Sequence, residues 1–129
     1  MDNARGSEQS KTAIELIFKH MITTLFQGEG INIQTEVEVG LLPLRIDVVI
    51  DFQTPEALCT FQDQTPYWYF LNDNILEFKG EGDRLTIEGF YRIVMRCCHY
   101  FLERHVPVSE LTVTIVCAQT PRKVLSSGV

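Results

Sequence analysis

Three polar side chains sit where strands ought to be apolar. In LRIDVVIDF, residues 44–52, Asp47 lies between Ile46 and Val48. In NILEFKGEGD, residues 74–83, Glu77 and Lys79 flank Phe78 in a segment that reads as a buried strand. A carboxylate in a central strand is costly to bury unless a partner is built for it. Strand alternation puts Glu77 and Lys79 on one face, ~6–7 Å apart, with Leu76 and Phe78 opposite. If Asp47 lies across from them, two carboxylates converge on one small site. A carboxylate pair with several water positions is how Mg²⁺ is usually held. A lysine beside it can position or deprotonate water, or stabilise charge developing on a phosphate. The same residues also suit a structural ion pair between Glu77 and Lys79, with Asp47 as a solubilising edge charge. Asp51 reads as a solvent-facing strand end, ~13 Å from Asp47 along the strand.

These side chains need a scaffold, and periodicity supplies one. Residues 10–27 repeat Ile14, Ile17, Phe18, Met21 and Leu25 at helical spacing. Ser10 or Thr12 can cap this helix, and Gly28 follows it. Residues 31–39 alternate: Ile31, Ile33, Thr35, Val37 and Val39 face one way, and Gln34, Glu36 and Glu38 the other. GLLP, 40–43, is expected to turn. Residues 44–52 are a more buried strand, with Ile46, Val48, Ile50 and Phe52 on one face and Arg45, Asp47, Val49 and Asp51 on the other. Residues 53–73 form a long connection, with a short helix expected at 55–60. A third strand covers 74–80. Asp83 or Thr86 can cap the helix 86–105, which places Ile87, Phe90, Tyr91, Val94, Cys98 and Phe101 on one face and Glu88, Arg92, Arg96, His99 and Glu103 on the other. Arg92, Arg96 and His99 read as a solvated face that can also touch phosphate. Residues 111–118 are a fourth strand. In Tyr67-Trp68-Tyr69-Phe70, packing is expected ahead of base stacking.

The order is αβββαβ. The first two strands should form an antiparallel hairpin, and strand 74–80, helix 86–105 and strand 111–118 a parallel β–α–β unit in the same sheet. The chain of 129 residues supports one domain over 10–129, preceded by a disordered leader over 1–9. With 45% hydrophobic and 22% charged residues, it is globular in composition. No apolar run approaches the ~20 residues of a membrane helix. The polar start lacks a secretory signal, so a cytoplasmic location is expected and no membrane. None of Cys59, Cys97, Cys98 and Cys117 forms a CxxC pair, which argues against a zinc site or a disulfide framework. The net charge of −6 argues mildly against nucleic acid, but it is unevenly spread. Residues 1–78 hold 4 basic and 12 acidic side chains, and residues 79–129 hold 7 basic and 5 acidic.

An aspartate strand followed by a Glu-x-Lys strand, in an αβββαβ order, resembles the PD-(D/E)XK nuclease superfamily, the restriction-endonuclease-like fold. Asp47 matches the motif's aspartate, and Glu77-Phe78-Lys79 its E-x-K. The stretch FLNDNILEFKGEGDRLTIEGFYR, 70–92, and the later TPRKVL, 120–125, are similar to the recombination-promoting nuclease and transposase-like group. The motif's leading proline is replaced by Arg45-Ile46, and 30 positions separate Asp47 from Glu77. The resemblance implies a mixed four-stranded α/β sheet flanked by helices, and a metal-dependent DNA endonuclease serving recombination or mobile elements. Asp47, Glu77 and Lys79 would be catalytic. Asp47, Glu77 and, by position in the first helix, Glu15 would hold Mg²⁺, with Mn²⁺ as substitute. For Glu15 the other reading is an exposed helix-start acid favoured by the macrodipole, although it shares a helix side with Phe18 and Ile22. DNA is the implied partner, and a homodimer is compatible with it. The alternative is a protein that keeps the nuclease fold for binding or regulation without cutting.

Overall fold

The computed structural model describes residues 13–39 and 44–126. The leader, the proposed caps Ser10 and Thr12, and the GLLP turn lie outside the described residues. In chain order the elements are α1 (Ala13–Leu25), β1 (Ile31–Val39), β2 (Leu44–Phe52), α2 (Pro55–Gln64), β3 (Asp73–Lys79), α3 (Ile87–Arg104), a 3₁₀ turn (Val108–Glu110), β4 (Leu111–Cys117) and α4 (Arg122–Ser126). One sheet runs β1-β2-β3-β4. β1/β2 and β2/β3 are antiparallel, and β3/β4 are parallel across the α3 connection. The protein is thus α/β, with a four-stranded mixed sheet flanked by helices. Among the described residues no helix is long and apolar enough to cross a membrane.

The connection 53–73 is more ordered than its sequence pattern predicts. Thr54 Oγ1 accepts the Ala57 N–H at 3.1 Å, and Pro55 opens the helix with its φ already set, so α2 runs ten residues rather than six. α2 delivers Phe61 into an aromatic cluster with Phe26, Phe52, Tyr67 and Phe70. Tyr67 and Phe70 are therefore packing residues, while Trp68 remains exposed. α3 starts at Thr86, whose Oγ1 accepts the Gly89 N–H at 2.9 Å.

The core has two halves, one on each sheet face. Phe18 and Ile22 of α1 and Phe61 of α2 pack on Val48, Ile50, Phe52, Leu76 and Phe78. Ile93, Cys97 and Tyr100 of α3 and Val124 of α4 pack on Val37, Ile46, Val49 and Ile75. Both long helices are rotated from their sequence-based faces. On α1, Ile17, Met21 and Leu25 are exposed, and the inward arc is Phe18, Lys19 and Ile22. On α3, Tyr91, Val94 and Cys98 face outward, and Phe90, Ile93, Cys97 and Tyr100 face the sheet. Each helix is apolar around much of its circumference, so the i, i+3, i+4 pattern alone admits two faces. The inward arcs are the ones that also carry Lys19 and Arg96 toward buried carboxylates.

Candidate functional site

Strict alternation fails at one place in the β1/β2 hairpin. Val48 packs on the α1 side and Ile46 on the α3 side, although they are two positions apart with only Asp47 between them. Opposite, Ile33 and Val37 divide in the same way. Regular pairing joins Thr35 to Val48 and Val37 to Ile46 but skips Glu36 and Asp47. Glu36 has φ 55°, a left-handed backbone that costs a non-glycine residue roughly 1–2 kcal/mol. The hairpin therefore exchanges its faces across Glu36 and Asp47. The expected sharing of one face by Ile46 with Val48, and by Val37 with Ile33, is corrected by this twist.

β2 and β3 part at the same level. Their ladder runs from Asp51↔Asp73 to Val48↔Leu76 and stops, while β3 stays paired to β4 as far as Lys79↔Cys117. The Phe78 N–H, deprived of a ladder carbonyl from β2, donates to Asp47 Oδ2 at 2.9 Å. Asp47 is held at the fork by this bond, and Glu77, one residue before Phe78, is beside it. The two carboxyl groups lie within hydrogen-bonding reach of each other.

Two cations from opposite helices meet this pair. Lys19 of α1, 8% exposed, contacts Glu36 and stands 3.6 Å from Asp47 Oδ1. Arg96 of α3 places Nε 3.4 Å from Glu77 Oε1. Lys79 is half-buried and reaches Asp83 Oδ2 at 3.4 Å. Its charge still acts on Glu77. Burial, then the Asp47 charge, push the Glu77 carboxyl up to about 8, against the pull of Arg96 and Lys79. Glu77 Oε1 and Arg96 Nε are both shielded from solvent, and neither makes a hydrogen bond despite their proximity.

Of the residues expected at the site, Asp47 and Glu77 come together, while Lys79 shares the Glu77 strand but turns its ammonium to Asp83. Glu15 is half-buried, one turn before Lys19 on the same side of α1, with Oε2 out of solvent. Asp51 is not a solvent-facing strand end: it pairs in register with Asp73, and its Oδ1 is buried without a hydrogen bond. Arg96 leaves the solvated face assigned to it. Arg92 stays outside, 2.8 Å from Glu88. Sequence reasoning missed Lys19 and Glu36, and it read Arg96 as a solvated residue that could touch phosphate rather than as a partner of Glu77. Lys19 sits between Phe18 and Ile22, and Arg96 beside Cys97, so each borders the arc that is buried.

Among the described residues no group of three or more His, Cys, Asp or Glu side chains is arranged to hold a metal ion. A carboxylate pair is nevertheless a hard oxygen donor set of the kind Mg²⁺ and Mn²⁺ accept, with waters completing the shell. The buried Glu77 Oε1, held against a second carboxylate, makes no hydrogen bond and lies 3.4 Å from Arg96 Nε. No protein-family model, curated protein or solved structure matches the chain.

Proposed function

We propose that this chain is a Mg²⁺-dependent DNA endonuclease built on the PD-(D/E)XK plan, as its resemblance to the recombination-promoting nuclease group implies. The observation that carries this reading is the meeting of Asp47 and Glu77 where β2 and β3 separate, with Lys79 next along β3. With α2 set aside as an insertion between β2 and β3, the element order is α–β–β–β–α–β, which is the order the resemblance implies. The insertion also accounts for the long gap between Asp47 and Glu77.

In this reading Asp47 and Glu77 hold the ion, with Mn²⁺ as substitute. Once bound, the metal supplies Lewis-acid polarisation of the scissile phosphate and a water of lowered pKa. The chain's own residues do the rest. The Phe78 N–H fixes the Asp47 carboxylate before any ligand arrives. Lys79 exchanges its exposed partner Asp83 for the water or for charge developing on the phosphate. Arg96 offers a desolvated guanidinium with an unused Nε–H beside the same acids.

A second reading has a specific observation behind it. Lys19 and Arg96 already pair with Asp47 and Glu77, as they would in a nuclease-fold protein that binds without cutting. Plasmid nicking with and without Mg²⁺ separates the two. Wild type should nick only with the ion, and Asp47→Asn, Glu77→Gln and Lys79→Ala should each reduce nicking to background. A wild-type protein that neither nicks nor melts higher in millimolar Mg²⁺ establishes the non-cutting reading.

A further inference from the structure

The chain carries 11 Lys and Arg against 17 Asp and Glu, yet six of the 11 line one groove. A cavity of about 280 Å³ is lined by Lys79, Arg84, Arg92 and Arg96. It adjoins a second of about 810 Å³ lined by Arg84, Arg122 and Lys123. The two share Arg84, Thr86 and Glu88, so they form one channel along the first turns of α3. Its inner end is Lys79 and Arg96, which act on Glu77, and its outer end is α4. Among the described lining residues the acids are Asp83 and Glu88, each engaged with one of the cations, and Glu77 meets Arg96 at the inner end. At the inner end the buried Arg96 Nε–H lacks an acceptor. The positive end of the α3 dipole adds to the same potential.

We propose that this groove takes the phosphodiester backbone of a DNA strand, from Arg122 and Lys123 inward to Arg96 and Lys79, and that it does so without a metal. A line of cations within a chain of net charge −6 is complementary to a polyanion and to little else. Arg84 and Lys123 are not adjacent to the acid pair, so their role is to position the strand. The identity of the partner rests on the nuclease reading, whereas the groove rests on its own charges.

The test is fluorescence anisotropy of a short labelled DNA duplex titrated with the full chain in EDTA at several salt concentrations. Wild type should bind, with affinity falling steeply as salt rises. Arg84→Glu/Arg122→Glu/Lys123→Glu should weaken binding about tenfold or more and flatten the log–log salt slope by up to roughly 2.7, at about 0.9 per phosphate contact. Arg45→Glu, an exposed cation outside the groove, should change affinity less than about twofold. Melting curves check the fold, and Arg122→Gln/Lys123→Gln, exposed on α4, replaces the triple variant if that fails to fold. No binding by wild type, or equal loss in Arg45→Glu and the groove variant, overturns the proposal. Tighter binding of an RNA strand of the same length overturns the assignment to DNA. Groove-dependent binding without Mg²⁺-dependent nicking removes the endonuclease but leaves the groove. Nicking that the groove variant leaves unchanged does the reverse.

Discussion

Asp47 accepts the Phe78 N–H and meets the Lys19 ammonium, whereas Glu77 is 2% exposed and its Oε1, though near Arg96, makes no hydrogen bond. Their substitutions should therefore move stability in opposite directions. Asp47→Ala strands a buried N–H and leaves Lys19 one acid poorer, at a cost of about 2–4 kcal/mol in urea unfolding. Asp47→Asn keeps an acceptor and should cost less. Glu77 has a folded pKa of about 8 against an ordinary value of 4.5. Between these values the folded chain holds a proton that the unfolded chain has released, so stability falls as pH rises from about 4.5 to about 8 and then levels. Glu77→Gln imitates the protonated acid. It should be near neutral in stability at pH 4, stabilising by roughly 2 kcal/mol at pH 6 and by roughly 5 kcal/mol at pH 9, and should flatten the profile. A wild-type profile that is flat from pH 5 to 9 would contradict this. Mg²⁺ must displace that proton, so its effect on the melting temperature should be larger at pH 9 than at pH 6.

At the scale of elements, the decisive events are rotations. α3 turns until Ile93 and Cys97 lie under the sheet face and Arg96 reaches Glu77. Ile93→Ala should thus cost about 2–5 kcal/mol, and Val94→Ala, at a 40% exposed position, under about 0.5 kcal/mol, both read by urea unfolding. The reverse ranking would return α3 to the face that its periodicity suggests. The hairpin makes the second rotation, at Glu36 and Asp47. Strand propensity and alternation identify β1 and β2 as strands, but a left-handed Glu36 within a run of β-branched neighbours has no sequence signature. Its contact with Lys19, 17 positions earlier, helps hold it there.

Across the whole molecule, the sheet carries an acid pair at each end. Asp47 and Glu77 sit at the fork. Asp51 and Asp73 face each other where β2 and β3 are fully paired. Burial raises both of the latter, and the Asp51 charge raises Asp73 further. Their folded pKa values lie above the unfolded ones, so this pair destabilises once both states ionise. Asp51→Asn should raise the melting temperature at pH 7 and lose that advantage below about pH 4. The gain should be modest, because both groups keep some contact with water. Only the fork end adjoins the basic groove, and that asymmetry separates a candidate site from a structural acid pair.

Several features were legible in the order of residues alone. Alternation and turn residues located all four strands. Asp83 and Thr86 were the two candidates for the start of α3, and the Glu77-x-Lys79 parity placed both side chains on one strand face. These are local properties, decided by φ preferences, side-chain period and capping within a few positions. Tertiary structure alone decided which arc of each helix is buried, because that depends on charges brought from distant strands: Glu36 and Asp47 for Lys19, Glu77 for Arg96. It also decided where β2 and β3 separate, since a ladder ends when a side chain such as Asp47 replaces a backbone acceptor. The groove was divided in sequence among residues 79–96 and 122–123, and only the packing of α4 beside the start of α3 makes it continuous.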